Sequence, residues 1–157
     1  MQIKTKICLL GMSRVGKTTL VSLLQGKKIP KEDHPTVGLE IKNSVLNESK
    51  VNIWDLGGQE RYRFMWKDFL RGAGLAVVVC DSTEENIEQT RKMYQKFSRY
   101  MGSKIIAIAN KQDLPDALSA EQVEKKLGIP TYGMSAIRLD LRGRLKRILE
   151  YELAMDK

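Results

Sequence analysis

The chain has 157 residues and a formal net charge of +8, and its 42% apolar and 29% charged residues are typical of one globular domain. No segment reaches the roughly 20 apolar residues that a membrane-spanning helix needs. The two cysteines, Cys8 and Cys80, lie in apolar runs that predict buried, reduced thiols and argue against a disulfide framework, so we expect a cytoplasmic protein.

Apolar runs alternate with amphipathic segments along the chain. In the first half of the chain, the patterns predict a strand at 7–10, a helix at 17–24, and a hairpin of strands at 40–45 and 51–54. In the second half they predict strands at 75–80 and 104–109, a weak strand at 131–134, and helices at 87–100 and 120–127. A last helix is predicted by the apolar stripe of Leu141, Leu145, Ile148, Leu149 and Leu153. Strands alternating with helices predict βαβ units, and therefore an α/β fold with a mostly parallel sheet.

Ligands of such sheets bind beyond the carboxyl ends of the strands. We therefore expect the chemistry just after Leu10, Trp54, Cys80 and Ala109. Recognisable motifs follow three of these positions, and the segment after Cys80 carries none.

The first motif is a glycine-rich turn between a strand and a helix. Residues 11–18 read Gly-Met-Ser-Arg-Val-Gly-Lys-Thr and match G-x-x-x-x-G-K-[ST]. Backbone N–H groups of such a loop surround phosphate oxygens, Lys17 can reach the β and γ phosphates, and Thr18 can give its hydroxyl to Mg²⁺. We predict that the nucleotide contacts these residues: Ser13, Arg14, Val15, Gly16, Lys17, Thr18 and Thr19.

The second motif, Asn-Lys-Gln-Asp, follows the strand that ends at residue 109. The carboxylate of Asp113 can accept hydrogen bonds from N1–H and the exocyclic amine of guanine, whereas adenine would leave polar groups unpaired. Lys111 can cover the base with its aliphatic stem, and Asn110 can tie this loop to the phosphate loop. We further predict that Ser135 and Ala136 complete the base site, with the Ala136 N–H facing guanine O6.

The third motif, Asp-Leu-Gly-Gly-Gln, follows a strand and begins at Asp55, which can hold a Mg²⁺-bound water. The N–H of Gly58 is placed to meet a γ-phosphate, and Gln59 is the candidate that orients the attacking water. Since an amide is not a base at neutral pH, its role would be positioning. Thr36, in an earlier loop, can bind Mg²⁺ and γ-phosphate when GTP is present.

Together, these motifs resemble those of the Ras superfamily of small GTPases, most closely the Arf family. The Arf-like features are the Pro-Thr-Val-Gly sequence at 35–38, the Gly-Gly-Gln form of the third motif, Arg63, Trp66 and the Leu-Pro-Asp-Ala extension after Asp113. The resemblance implies a P-loop NTPase G domain over residues 1–157. Its six-stranded sheet would include one antiparallel strand and have helices on both faces. Two switch segments would lie at about 33–40 and 57–71.

The resemblance also implies an activity: a molecular switch that slowly hydrolyses GTP to GDP and phosphate, with Gln59, Lys17 and Thr36 as catalytic residues. Thr18, Thr36 and Asp55 would form the metal site. An exchange factor, a GTPase-activating protein and effectors would be its partners, in membrane trafficking or membrane-associated signalling. We expect a monomer that binds no nucleic acid.

Departures from the Arf pattern leave parts of this picture open. No amphipathic helix precedes the first strand, residue 2 is not glycine, and no cysteine is available for prenylation, so we expect at most peripheral membrane contact. Ser13 and Arg14 stand where the family usually has Asp and Ala. Ser13 would crowd the attacking water, which suggests slow turnover, and Arg14 either supplies a cation in cis or faces solvent.

Three questions remain open on the sequence: the activity, the role of three aromatic residues and the role of a basic segment. The chain could be a recruitment module that binds GTP without hydrolysing it, or a Rag-like or signal-recognition-particle-receptor-like subunit of a heterodimer. Phe64, Trp66 and Phe69 either pack on the sheet or form a nucleotide-dependent effector surface. The basic residues at 138–147 form either a solvated helix face or a patch for lipid or an acidic partner.

Overall fold

The computed structural model describes residues 5–29 and 35–154. Its strands are β1 (Thr5–Leu10), β2 (Leu39–Leu46), β3 (Ser49–Leu56), β4 (Leu75–Cys80), β5 (Ile105–Ala109) and β6 (Thr131–Gly133). Its α-helices are α1 (Lys17–Gln25), α2 (Trp66–Phe69), α3 (Glu84–Phe97), α4 (Ala120–Leu127) and α5 (Arg142–Ala154). Short 3-10 helices precede α2 (Glu60–Met65), follow α3 (Ser98–Tyr100) and precede α5 (Leu139–Leu141).

The six strands form one sheet in the order β2-β3-β1-β4-β5-β6. Only β2 runs antiparallel, because the tight turn at Asn47 and Glu48 folds it directly back onto β3. All other neighbouring pairs are parallel. The predicted fold class is therefore confirmed.

Helices cover both faces of the sheet and form two apolar cores. α1 and α5 contribute Leu20, Leu24, Leu145 and Leu149 to the core on one face. On the other face, α2, α3 and α4 pack against the sheet. Every residue of β4 is buried, as the continuous apolar run predicted, because this central strand has helices above and below it.

Element boundaries differ from the predicted ones where a cap decides them. α3 begins at Glu84, three residues before the predicted start, since the Thr83 hydroxyl accepts a hydrogen bond from the Asn86 N–H. α4 begins as predicted, with Ser119 and Gln122 in a reciprocal capping box. Local hydrogen bonds between each capping side chain and an N–H three residues further along the chain, rather than apolar spacing, therefore set these ends.

Three of the five basic residues at 138–147 make contacts within the protein. Arg138 pairs with Asp140 at 2.7 Å, Arg142 donates to the Leu24 carbonyl, and Arg144 donates to the Gly133 carbonyl. These contacts favour the solvated helix face over a free cationic patch. No helix in residues 5–29 or 35–154 has the length and apolar character needed to cross a membrane.

Both cysteines are free and buried, as predicted. Burial raises the pKa of Cys8 to about 12 and that of Cys80 to about 11, so neither forms a thiolate at neutral pH. We expect Ellman's reagent at pH 8 to leave the native protein unmodified and to titrate both thiols at once after unfolding in guanidinium. Rapid labelling of the native protein would mean that β1 or β4 opens readily.

Candidate functional site

The loop between β1 and α1 forms a cradle that only small residues allow. Gly16 has φ 101°, and a Cβ there would lie 2.3 Å from Nδ2 of Asn110. A Cβ on Gly11 would lie 2.4 Å from the Val79 carbonyl oxygen. These approaches explain why glycine stands at both ends of the motif.

A cleft of about 380 Å³ opens over this loop. It is lined by Ser13, Arg14, Gly16, Lys17, Thr18, Thr19, Pro35, Thr36 and Gly58. All but Pro35 were among the predicted site residues. The structure therefore brings the phosphate loop, the Thr36 loop and the start of the third motif to one place.

The Lys17 ammonium is held inside this cradle. Its Nζ donates to the carbonyl oxygens of Gly11 and Met12, at 3.1 and 2.9 Å. Burial lowers the pKa of Lys17 to about 8; the Asp55 carboxylate opposes that shift, and the Arg63 guanidinium adds to it. A phosphate anion at this point would restore the charged form.

This low pKa predicts a pH-dependent affinity for nucleotide. The free protein loses the Lys17 proton above pH 8, whereas bound phosphate holds that proton, so binding must take one up. We expect the affinity for GDP to be flat below pH 8 and to fall by up to about tenfold per pH unit above it. Isothermal titration calorimetry in buffers of different ionisation enthalpy measures the uptake. Lys17→Ala should bind weakly and lose this component; an equal pH slope in that variant would contradict the assignment.

Three oxygen-bearing side chains converge beside Lys17. Oδ2 of Asp55 accepts hydrogen bonds from the hydroxyls of Thr18, at 2.6 Å, and Thr36, at 3.3 Å, and the two hydroxyl oxygens lie 3.1 Å apart. Asp55 is buried, and its Oδ1 has no hydrogen-bond partner among residues 5–29 and 35–154. Burial raises the pKa of Asp55, while the Thr18 hydroxyl and Lys17 act against the shift.

This donor set fits Mg²⁺. Magnesium prefers hard oxygen ligands and keeps several waters, and the cluster offers two hydroxyls and a carboxylate with an unpaired oxygen. An unpaired buried carboxylate oxygen is costly unless a cation or water reaches it. The predicted metal residues, Thr18, Thr36 and Asp55, are thus placed together.

A second cleft, of about 510 Å³, continues from the first and shares Gly16 and Thr19 with it. Its remaining lining residues are Asn110, Lys111, Asp113, Leu114, Ala136 and Ile137. Two joined clefts, one over the loop 11–18 and one beside the base loop, fit the predicted placement of a nucleotide with its base in the second cleft.

Side-chain hydrogen bonds hold the base loop against the phosphate loop. Asn110 Nδ2 donates to the Val15 carbonyl at 2.9 Å, as predicted, and Lys111 Nζ donates to the Arg14 carbonyl at 2.7 Å. The Ser135 hydroxyl donates to Oδ1 of Asp113 at 2.6 Å, which orients that carboxylate.

Ala136 is placed differently from the expectation. Its N–H was predicted to face guanine O6, but it donates to Oδ1 of Asn110 at 3.0 Å. The physical reason is that the buried Asn110 amide needs partners for both its ends, and its other end is taken by the Val15 carbonyl. Ala136 lines the base cleft without presenting a free N–H to it.

A residue that the sequence analysis missed anchors the base loop. Ser82, two residues after Cys80, is fully buried with φ 70°. Its hydroxyl donates to the Asn110 carbonyl at 2.5 Å and accepts from Nε2 of Gln112 at 2.8 Å. The segment without a motif therefore supports the site; the only available signal was a small polar residue at the carboxyl end of an apolar strand.

The consecutive glycines of the third motif touch the two other loops of the phosphate cleft. A Cβ on Gly58 would lie 2.6 Å from the Gly11 carbonyl oxygen, and one on Gly57 would lie 2.8 Å from that of Thr36. The Gly57 N–H also donates to the Gly38 carbonyl at 2.8 Å. The second switch segment (57–71) is therefore packed against both the phosphate loop and the described part of the first (33–40), whose residues 33 and 34 lie outside the described ranges.

Gln59 does not line the phosphate cleft in this structure. Its Oε1 accepts a hydrogen bond from Nε of Arg61 at 3.1 Å, so the amide oxygen expected to orient water has a partner within the protein. A hydrogen bond to a charged guanidinium explains the preference. Ser13 does line the cleft, while Arg14 is exposed at its rim with φ 68°.

The aromatic residues of the second switch segment divide between the two interpretations. Trp66 is fully buried, donates from Nε1 to the Gly57 carbonyl at 3.0 Å and lies 5.0 Å from Phe97. Phe69 is half-buried beside Trp54. Phe64 is 72% exposed. Packing therefore accounts for Trp66 and Phe69, and Phe64 alone presents an aromatic surface.

Comparisons with known proteins agree with this arrangement. The model of the ADP-ribosylation factor (Arf) family matches residues 1–147. ADP-ribosylation factor-like protein alp41 of Schizosaccharomyces pombe is 31% identical over 140 residues, which cover 87% of this chain and 75% of that protein. The phosphate loop, both glycines of the third motif and the base loop all fall within the span that the family model matches. The chain belongs to the Arf family of Ras-superfamily small GTPases, a family of GTP-binding switches.

Proposed function

We propose that this protein binds GTP and GDP with Mg²⁺, hydrolyses GTP slowly and signals through the segments 33–40 and 57–71. The observation that carries the proposal is the cluster of Thr18, Thr36 and Asp55. It joins the phosphate loop to the first switch segment through hydroxyls suited to a Mg²⁺–phosphate unit. Loss of the γ-phosphate would remove one of the groups that hold Thr36 in this position.

Guanine selection rests on the base cleft. Asp113, already oriented by Ser135, can accept two hydrogen bonds from guanine, while Lys111 is fixed across the cleft by the Arg14 carbonyl. Adenine would leave the carboxylate facing an acceptor. A mismatch of this kind costs about 1–3 kcal/mol for each unpaired group.

For hydrolysis, each side chain would act on charge or position. Lys17 stabilises negative charge on the transferred phosphoryl group, and the Gly58 N–H is close enough to the loop to bind a γ-phosphate oxygen. Mg²⁺, when bound, would neutralise negative charge on the phosphates. Gln59 must leave Arg61 before its amide can orient water. An activating protein that inserts an arginine would add about 10³–10⁵-fold.

Arf-family proteins work with exchange factors, activating proteins and effectors, and we extend these partner classes to this chain. A role at a membrane surface, in trafficking or membrane-associated signalling, is part of the same proposal. We expect such contact to be peripheral and the protein to be a monomer.

A second candidate, a recruitment module that retains GTP, has one observation in its favour: the Gln59 side chain is bound to Arg61 and is absent from the residues that line the phosphate cleft. Single-turnover phosphate release separates the two. We expect slow release from GTP, none from ATP, and a rate about tenfold or more lower in Gln59→Leu. Gln95→Leu, the same change at an exposed position of α3, should match the intact protein.

Two results would count against hydrolysis by this mechanism. Equal turnover of ATP and GTP would mean that Asp113 does not select guanine over adenine. Tight GTP retention with no phosphate release over hours would favour the recruitment module instead.

A further inference from the structure

A large open groove lies outside both nucleotide clefts, between the second switch segment and α3. We call it the α3 groove. Arg63, Phe64 and Lys67 lie on one wall, and α3 with the 3-10 helix Ser98–Tyr100 forms the other. At its inner end it reaches Ser13 and Gly58, which also line the phosphate cleft.

The α3 groove has a strongly positive lining. Its charged side chains are one carboxylate, Glu60, and five cations: Arg63, Lys67, Lys92, Lys96 and Arg99. All the cations except half-buried Arg63 are exposed. The ion pairs found among the described residues, such as Arg91 with Glu88, involve none of the five. Glu88, which does not line the groove, is the nearby acidic residue that acts electrostatically with Lys92.

Aromatic surface lies between these charges. Phe64 projects from the switch wall and is 72% exposed. On the opposite wall, the Lys96 Nζ lies 5.5 Å from the centre of the Phe97 ring, and the Arg99 guanidinium lies 5.0 Å from that of Tyr100. A ligand that satisfies this lining carries several negative charges and at least one apolar side chain.

We propose that the α3 groove binds an acidic segment of a partner protein. Its carboxylates face Lys92, Lys96 and Lys67, and an apolar side chain between them contacts Phe64 and Tyr100. The concave shape, with cations on two facing walls, suits an extended peptide rather than a flat anionic membrane. Ser13 and Gly58 border both the α3 groove and the phosphate cleft, so we expect peptide binding to depend on the bound nucleotide. That dependence rests on the proposed function, whereas peptide binding by itself does not rest on it.

The test uses a defined probe on the full chain. The probe is a fluorescein-labelled peptide in which four glutamates flank each side of a Phe-Glu-Leu centre; a control peptide carries glutamine in place of every glutamate. Anisotropy measures affinity, and amide chemical shifts locate the site. We expect the acidic peptide alone to bind, with shifts confined to residues 60–67 and 89–100 and affinity falling as salt rises.

Charge-reversal variants distinguish binding in the α3 groove from non-specific attraction of an acidic peptide to a basic protein. Lys92→Glu with Lys96→Glu should weaken binding at least about tenfold, because both carboxylate partners become repulsive. Lys50→Glu with Lys125→Glu makes the same change in net charge at exposed positions outside the groove, and should alter affinity by less than about twofold. Nucleotide affinity, measured on the same samples, should be unchanged in both variants.

Three outcomes would overturn the proposal: equal weakening in both double variants, shifts centred outside the groove, or no peptide binding while vesicles with 30% anionic lipid bind through the same lysines. Each can occur with GTP binding and hydrolysis intact, so failure here is separable from failure of the GTPase assignment.

Discussion

Replacing Asp113 with asparagine is expected to exchange the base specificity of the protein. The substitution keeps the shape of the side chain and the hydrogen bond from Ser135, which can still donate to the remaining oxygen. It places an amide donor opposite the exocyclic amine of guanine, so two donors face each other. We expect GTP affinity to fall by about 2–6 kcal/mol, roughly 30-fold to 10⁴-fold.

Xanthosine triphosphate carries a carbonyl where guanine has the amine. Its affinity should therefore rise in Asp113→Asn, since the new donor then meets an acceptor. Competition against fluorescent GDP measures both affinities. Asp116→Asn, at an exposed position in the same loop that does not line the base cleft, should leave both unchanged. Unchanged GTP affinity in Asp113→Asn would show that the base does not lie in this cleft.

Gly16→Ala is expected to separate the base loop from the phosphate loop. The new Cβ would lie 2.3 Å from Nδ2 of Asn110, whose side chain is buried and held by the Val15 carbonyl and the Ala136 N–H. Because Asn110 cannot move without breaking these bonds, and alanine is strained at φ 101°, we expect a loss of about 2–5 kcal/mol in the free energy of unfolding. GDP affinity should fall at least about 100-fold, since both clefts share Gly16.

Gly128→Ala is the matched control. Gly128 also has a left-handed φ, 78°, but no atom within 4 Å would meet its Cβ. The variant should therefore show only the backbone strain, about 1 kcal/mol, with GDP binding unchanged. Guanidinium unfolding with and without GDP measures all of these quantities. Similar losses of stability and of GDP affinity in the two variants would mean that the contact with Asn110 contributes nothing measurable.

Much of the fold could be predicted because apolar periodicity reports burial directly. The run at 75–80 is a strand buried on both faces, and the stripe through Leu145 and Leu149 packs α5 on the sheet. The start of α3 could not be predicted from periodicity, because the Thr83 cap, rather than an apolar position, determines it.

In the candidate site, too, some contacts could be predicted from the sequence and others could not. The motif residues of the phosphate loop and the metal cluster come together in the structure, including Lys17, Thr18 and Asp55. Gln59 and Ala136 differ, since each has a hydrogen-bonding group that found a partner within the protein. Their expected contacts with water and base stay predictions, and so do the roles of Ser13 and Arg14.

By itself, the sequence determined the fold class and the family and predicted which residue types would form the candidate site, because spacing and residue chemistry are local properties. Only the tertiary structure decided which partners the polar groups choose. It buries Ser82 beneath the base loop, turns Gln59 toward Arg61, and sets α3 beside the second switch segment so that scattered lysines line one groove. Apart from the contact between Gln59 and Arg61, these contacts join residues far apart in the chain, and they depend on which donors and acceptors folding leaves within about 3 Å of one another.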